Sequence, residues 1–185
     1  VRGTGASGGT YDNLGARSIQ DICEAIAWIA EQDWCDGNVG MFGMSYFAIV
    51  QNLVAAKNPP ALKAIFAPFA YTDMYRDRYY HGGILSHGFM KMWLPTLSNP
   101  RLAPLLRDEI GDEKFEELMA TARSDEDLQA VPFLKQALDD PLDEKFALIA
   151  EIIAQPLDND YYEARSLNYD EKPAVPAYLG CCWGL

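Results

Sequence analysis

Ser45 lies between two apolar segments of different length. The segment before it, Val39–Phe42, is short enough for a buried parallel strand, and the segment after it, Tyr46–Lys57, has the length of a helix. A tight turn from a strand into a helix pushes a serine hydroxyl out over the edge of the sheet, which is the geometry of a nucleophile elbow. The two backbones nearly touch at such a turn, and Gly43 supplies the small residue it needs. We therefore predict that Ser45 is a catalytic nucleophile.

An alternative reading of the same serine stays open at this point. The five-residue elbow pattern is Gly-x-Ser-x-Gly, and Phe47 stands at its fifth position. A bare Gly-x-Ser is also typical of an ordinary turn or helix cap, in which case Ser45 is a structural turn in a non-catalytic α/β domain. The context favours the elbow, because Pro59 and Pro60 end the predicted helix before another strand-like run, Leu62–Ala67.

The elements around the serine predict a parallel sheet. The segment Ser18–Gln32 has one apolar stripe at helical spacing, with Ser18 as the expected N-cap and Asp21 completing a capping box. A turn at Asp36 and Gly37 leads into the strand before Ser45. Helix, turn, strand, helix and strand in this order are typical of a parallel α/β sheet covered by helices on both faces. The chain returns to this sheet only at a last strand, Ala174–Gly180.

The pattern changes after Pro68. Apolar spacing predicts helices at Ile84–Trp93, Phe115–Ala122 and Phe146–Ala154, and prolines separate them. No strand is expected before about Ala174. We predict that residues 72–168 form a helical insertion that acts as a lid over the sheet, and the alternative is a separate helical domain without a catalytic role.

Composition narrows the classes of function. The chain has 185 residues, 49% hydrophobic and 12% aromatic, and a formal charge of −12, which argues against nucleic-acid or anionic-lipid partners. The four cysteines form no Cys-x-x-Cys pair, so we expect no metal and a reduced, cytoplasmic setting. The run Gly3–Gly8 matches the dinucleotide fingerprint formally, but only two residues precede it, so we predict a flexible loop and no cofactor.

The stretch from Trp28 to Tyr46, WIAEQDWCDGNVGMFGMSY, resembles the serine hydrolases grouped with X-prolyl dipeptidyl peptidases (peptidase family S15), cocaine esterase and α-amino acid ester hydrolases, the CocE/NonD type. That family writes its elbow Gly-x-Ser-Tyr-x-Gly, and Ala48 stands at its second glycine. The resemblance runs from Val1 to about Arg76 and continues more loosely to the end. It implies an α/β-hydrolase core over residues 1–71, an all-helical cap over 72–168 and a return to the core over 169–185, in an internal fragment.

The resemblance also implies the rest of the catalytic machinery. The backbone N–H after the nucleophile, here that of Tyr46, normally donates to the oxyanion, and the family adds a tyrosine hydroxyl from an earlier strand. The acid of the triad follows the last strand, but residues 181–185 contain no carboxylate. Either the acid lies just beyond Leu185 or this protein lacks it. His81 and His87 precede that strand, which is the wrong order for the triad base, so the 185 residues alone should be inactive.

The substrate is predicted only as a class. By resemblance, Tyr79 and Trp93 stand where aromatic residues of the first cap helices line the acyl site, although aromatics at helical spacing also build a cap's own core. The wider family takes X-Pro dipeptides, aryl esters and β-lactam side-chain amides. We therefore expect a small ester, an amide or a short peptide, and no membrane partner.

Overall fold

The computed structural model describes residues 1–93, 105–143, 146–168 and 170–181. Residues 182–185, which follow the last strand and in which no carboxylate occurs, lie outside the described residues. The elements in chain order are α1 (Ala16–Ala30), β1 (Val39–Phe42), α2 (Tyr46–Ala56), β2 (Leu62–Pro68), a π-helical turn (Tyr75–Tyr79), β3 (Tyr80–His81), β4 (Ile84–Leu85), α3 (His87–Trp93), α4 (Leu105–Ile110), α5 (Asp112–Arg123), α6 (Glu126–Ala130), α7 (Pro132–Asp139), α8 (Ala147–Ile153), α9 (Asp160–Glu163) and β5 (Ala177–Gly180).

Contacts between residues divide the chain into two units. Asn13–Asp77 and Asp160–Leu185 form what we call the sheet unit, and Val1–Asp12 and Arg78–Asn159 form the helical unit. The division into a catalytic core and a cap with boundaries at residues 72 and 168 stays a prediction. Within the described residues, no helix has both the length and the apolar character that a membrane span requires.

Three parallel strands form the sheet of the sheet unit, in the order β1-β2-β5. The bounds of β1 are those that the sequence predicts, and β2 runs one residue further, to Pro68. The predicted last strand begins later, at Ala177, because the Ala174 N–H donates to the side chain of Asn58 at 2.7 Å and not to a neighbouring strand. This order confirms the partial α/β-hydrolase sheet.

The helices α1 and α2 pack against one face of this sheet, and the covering of both faces by helices stays a prediction. Ile65 and Ala67 point to the covered face and join a buried cluster with α1 and α2. On the opposite face, one row of aromatic rings crosses the three strands. Phe42 pairs in register with Phe66, and Phe66 with Tyr178, with centroids 5.5 and 4.8 Å apart. Phe42 is 83% exposed and Tyr178 is 63% exposed. We call this row the aromatic ladder.

The start of α1 differs from the prediction. The helix begins at Ala16, two residues before the expected cap, and Gly15 precedes it without a side-chain cap. Ser18 is therefore inside the first turn and buried, and its predicted N-cap role is wrong. Ala16 and Arg17 are good helix formers and extend the helix backwards.

The turn before β1 is held by a local hydrogen bond. The Asn38 N–H donates to Asp36 Oδ1 at 3.0 Å, and this bond lowers the pKa of the Asp36 carboxyl. Gly37, between them, has φ of 83°. The predicted turn thus delivers the chain into β1 at Val39.

Two short strands interrupt the helical unit, although the sequence predicts no strand there. β3 and β4 pair as an antiparallel hairpin around Gly82 and Gly83, both at positive φ. As a consequence α3 begins at His87, not at Ile84 as predicted. The Tyr80 hydroxyl donates to the Ile152 carbonyl at 3.0 Å and ties the hairpin to α8. The other two predicted helices are present as α5 and α8. The unit's core is built from large, fully buried side chains: Tyr79, Phe115, Met119, Leu134, Leu138, Ile149, Ile152 and Ile153.

Candidate active site

Ser45 occupies the turn between β1 and α2 in a strained backbone conformation. Its φ is 58° and its ψ is −123°, and Ser45 is exposed to solvent. A side chain other than glycine rarely adopts positive φ, and such strain costs about 1–3 kcal/mol. Strained residues of this kind cluster at catalytic sites, where surrounding contacts hold them in place.

Backbone hydrogen bonds hold the turn from both sides. The Gly43 N–H donates to the Phe66 carbonyl and the Ser45 N–H donates to the Pro68 carbonyl, both at 3.2 Å, so the β1–β2 ladder continues into the turn. The Ser45 carbonyl accepts from the N–H groups of Ala48 and Ile49 at 2.9 and 3.0 Å, and therefore starts α2. The serine backbone is thus bonded to the strand on one side and to the helix on the other.

Close packing in the turn explains why its residues are small. A Cβ atom on Gly43 would lie 2.7 Å from the Cβ of Phe47, and Gly43 has φ of 154°. The absence of a side chain at Gly43 thus makes room for Phe47, the residue that departs from the five-residue elbow pattern. Ala48, at the place of the family's second glycine, is 0% exposed in the core. A larger side chain there would have to displace the buried residues of the core around it.

Gln51 is a residue of the site that the sequence analysis missed. It is 1% exposed, and its amide Nε2 donates to the carbonyls of Gly43 and Phe47, both at 2.9 Å. Its Oε1 accepts from the Phe66 N–H at 3.1 Å. The sequence signal for it is weak, because two neighbouring amides, Gln51 and Asn52, interrupt a mostly apolar helix and nothing in the sequence separates them.

Tyr46 is the first residue of α2 and follows the serine directly. The start of a helix carries partial positive charge. The Ser45 N–H donates to the Pro68 carbonyl, and the backbone N–H that follows it in the chain is that of Tyr46. Its role as oxyanion donor stays a prediction.

The remaining predicted site residues lie in the helical unit. Tyr79 is 0% exposed, with the Arg78 guanidinium 4.9 Å from its ring centroid and no hydrogen-bond partner for its hydroxyl among the described residues. Trp93 is 41% exposed, and His81 and His87 are exposed. Their predicted substrate and pocket roles stay predictions. No cluster of His, Cys, Asp and Glu that could hold a metal occurs in the described part of the chain.

Comparison with known proteins places this geometry among hydrolases. The chain is 45% identical over 74 residues to cocaine esterase from Rhodococcus sp. (strain MB1 Bresler), a match covering 40% of this chain and 13% of that protein. The structure is similar to a CocE/NonD family hydrolase from Staphylococcus aureus, with a TM-score of 0.62 and 28% identity over 95% of this chain and 25% of that chain. The chain therefore spans only a small part of the length of these relatives.

Two further comparisons bear on fold and family. An aminopeptidase from a marine sediment archaeon, Thaumarchaeota archaeon, shares the fold with a TM-score of 0.58 at 17% identity, over 97% of this chain and 30% of that one. The family model described as X-Pro dipeptidyl-peptidase (S15 family) matches residues 1–183. With the parallel sheet and the turn at Ser45, this match shows that the chain belongs to the S15 family of α/β-hydrolases, of the CocE/NonD type.

Proposed function

We propose that this chain carries the nucleophile of a serine hydrolase, which cleaves ester or amide bonds through an acyl-enzyme on Ser45. The observation that carries the proposal is the backbone of Ser45, at positive φ between a parallel strand and the helix that follows it. An ordinary helix cap requires no such strain, since N-cap residues adopt extended backbone angles at no cost. Strain at an exposed serine supports a role in catalysis.

The proposed reaction begins with attack of Ser45 Oγ on the substrate carbonyl carbon. The serine proton passes to a histidine, because serine is hardly ionised at neutral pH. The C=O bond becomes a C–O⁻ bond, and the Tyr46 N–H stabilises this oxyanion. Collapse expels the alcohol or amine, which takes the proton from the histidine, and leaves the acyl group on Ser45. Water then releases the acid by the same steps.

The proton acceptor and its acid partner are not assigned within this chain. In α/β-hydrolases the triad follows the order Ser, Asp or Glu, His, and the acid comes after a later strand. His81 and His87 both precede β5, the strand that would carry the acid at its end. We therefore place the acid, the histidine and the second oxyanion donor elsewhere in the whole protein, and expect the 185 residues alone to be inactive.

The substrate class follows the relatives and is part of the proposal. Cocaine esterase is named for an ester, and the family model for X-Pro dipeptides. A small ester, an amide or a short peptide fits both names. Trp93, which is 41% exposed, is proposed as an acyl-site residue. Tyr79 is proposed for the same role only if its side chain, which is fully buried in the helical unit, becomes accessible to substrate.

A fluorophosphonate probe tests the proposal on the whole protein. The probe phosphonylates an activated serine, and mass spectrometry of the digested protein locates the adduct. We expect one adduct, on the peptide that contains Ser45, and none in Ser45→Ala. Ser124 is the matched control, because it is exposed but has an unstrained backbone with φ of −81° and ψ of −9°. It should stay unlabelled.

A folded whole protein that shows no adduct on Ser45 would make the turn architectural only. The chain would then be a non-catalytic α/β domain within its family.

A further inference from the structure

We propose that Gln51 is a positioning residue, which holds the turn so that the Ser45 hydroxyl stays in its reactive place. This inference rests on the proposed function, and it concerns a side chain that does not touch the substrate. Gln51 joins three backbone groups from three parts of the site: the turn, the first turn of α2, and β2.

All the hydrogen-bonding groups of the Gln51 amide are engaged by these three parts. A glutamine amide has two N–H donors and one carbonyl acceptor. Its two donations go to the Gly43 and Phe47 carbonyls at 2.9 Å, and its acceptor takes the Phe66 N–H at 3.1 Å. Since the residue is 1% exposed, water offers little competition for these bonds.

The amide reaches the sheet at the point where β1 ends. The Gly43 N–H donates to the Phe66 carbonyl, and the Phe66 N–H, in the register that pairs Phe66 with Phe42, also donates to Gln51 Oε1. The side chain thus adds a bond between α2 and the last paired position of the sheet before the serine. Without it, the Gly43 carbonyl would lose the bond from Gln51, and a buried polar group without a partner is unfavourable.

The link to Ser45 is short and covalent. The Gly43 carbonyl belongs to the peptide that joins Gly43 to Met44, one residue before Ser45. Ser45 keeps a positive φ only while its surroundings outweigh the strain. Loss of the Gln51 bonds lets this peptide rotate and Ser45 relax toward an ordinary backbone angle. A displacement of a reacting group by about 1 Å can lower a rate on the order of 100-fold.

The test compares two buried glutamines whose side-chain amides each donate a hydrogen bond to the backbone carbonyl four residues earlier. Gln155 is 7% exposed and its amide also donates to the carbonyl four residues earlier, that of Glu151, at 3.2 Å. It belongs to the helical unit and touches no part of the serine turn that the structure describes. Gln51→Glu and Gln155→Glu therefore make the same chemical change at two buried sites. Gln51→Met keeps the length of the side chain without its polar groups and serves if Gln51→Glu fails to fold.

The experiment measures the rate and the final extent of fluorophosphonate labelling at Ser45 in the whole protein. A residue that only supports the fold lowers the fraction of molecules that can be labelled and leaves the rate constant unchanged. A positioning residue lowers the rate constant while labelling still goes to completion. We expect a rate at least about tenfold lower in Gln51→Glu and Gln51→Met, and within about twofold of wild type in Gln155→Glu. With an ester substrate, kcat should fall while KM stays nearly unchanged.

The outcomes separate this inference from the proposed function. If wild type is not labelled at Ser45, the proposed function fails and this inference fails with it. If wild type is labelled and the Gln51 variants react at its rate, only the role of Gln51 is refuted. An equal slowing in Gln155→Glu would also refute it, because the effect would then be a general loosening of the protein.

Discussion

Ser45 is held in a conformation that its own side chain disfavours. Positive φ is unfavourable for serine and freely available to glycine. The strain persists because the Ser45 N–H is bonded to Pro68 and its carbonyl to Ala48 and Ile49. The residue that we propose as nucleophile should therefore lower the stability of the fold that presents it.

Replacing Ser45 by glycine should stabilise the protein. Relief of about 1–3 kcal/mol of strain exceeds the roughly 0.5–1 kcal/mol that the flexibility of glycine costs, so we expect a gain of about 1 kcal/mol over Ser45→Ala. Urea unfolding of both variants measures the difference. Ser124→Gly, at an unstrained backbone, should instead lose stability. If Ser45→Gly unfolds more easily than Ser45→Ala, Ser45 is not strained.

Some residues of this site can be located from the sequence, and others cannot. Ser45 and Tyr46 can be located because an apolar strand and helix flank them. Gln51 cannot, because its role depends on three backbone groups that only the folded turn brings together. Its polarity does not single it out, because Asn52 beside it is also polar and buried. The burial of Tyr79 is also a property of packing, which no spacing in the sequence reveals.

At the scale of elements, the strand, turn and helix around Ser45 depend on one close approach. A Cβ on Gly43 would lie 2.7 Å from the Cβ of Phe47, while one on Gly40, the second residue of β1, would find its nearest neighbour, the Ala64 carbonyl, at 3.8 Å. The first distance requires the backbone to move, and the second is an ordinary contact.

Alanine at these two glycines should therefore give different results. Gly43→Ala should destabilise the protein by about 2–3 kcal/mol, from overpacking together with an unfavourable φ. Gly40→Ala should stay within about 0.5 kcal/mol of wild type. Chemical denaturation measures both, and labelling of Ser45 should slow in Gly43→Ala only. Equal stability of the two variants would show that β1 and α2 can separate at the turn.

The elements that the sequence predicts well are those with long apolar runs. β1 and α2 are predicted within one residue at each end, because strand and helix lengths differ clearly there. The hairpin of β3 and β4 was missed because two-residue strands show no alternation. The start of α1 was missed because a serine inside a helix looks like a cap.

On the scale of the whole chain, residues far apart in sequence bind the end of α2 to the segment before β5 in the sheet unit. Asn58, at φ of 49°, follows α2. Its Oδ1 accepts from the Ala174 N–H, 116 residues away, and its Nδ2 donates to the Lys172 carbonyl at 3.2 Å. Lys57 forms an exposed ion pair with Glu171 at 2.6 Å. These contacts anchor the segment that leads into β5.

Asn58 should contribute more to this closure than the ion pair beside it. Asn58→Gly keeps the positive φ and loses the hydrogen bonds, so we expect a loss of about 1–2 kcal/mol. Asn58→Ala should lose about 1 kcal/mol more, because alanine also disfavours that φ. Lys57→Ala should cost less than 1 kcal/mol, as exposed pairs do. Amide hydrogen exchange in β5 measures each effect. Faster amide exchange in β5 of Lys57→Ala than in β5 of Asn58→Gly would contradict this ranking.

Pattern alone predicts the order of the elements but not which face of the sheet is covered. Apolar runs such as Val39–Phe42 read as buried on both faces, since periodicity does not show what lies above them. In the sheet unit, α1 and α2 pack on the face opposite the aromatic ladder, and the rings of the ladder stack on one another across the strands.

The placement of β5 beside β2 sets a time interval in the synthesis of the protein. The ribosome adds about 5–20 residues per second, so the contacts that span 116 residues become possible roughly 6–23 s after Asn58 has been made. Residues 78–159 are synthesised within that interval. Until it ends, β2 has an open edge that can pair with strands of other nascent chains. Codons that slow translation of the helical unit should therefore lower the yield of folded protein, whereas the same pauses before β1 should have little effect.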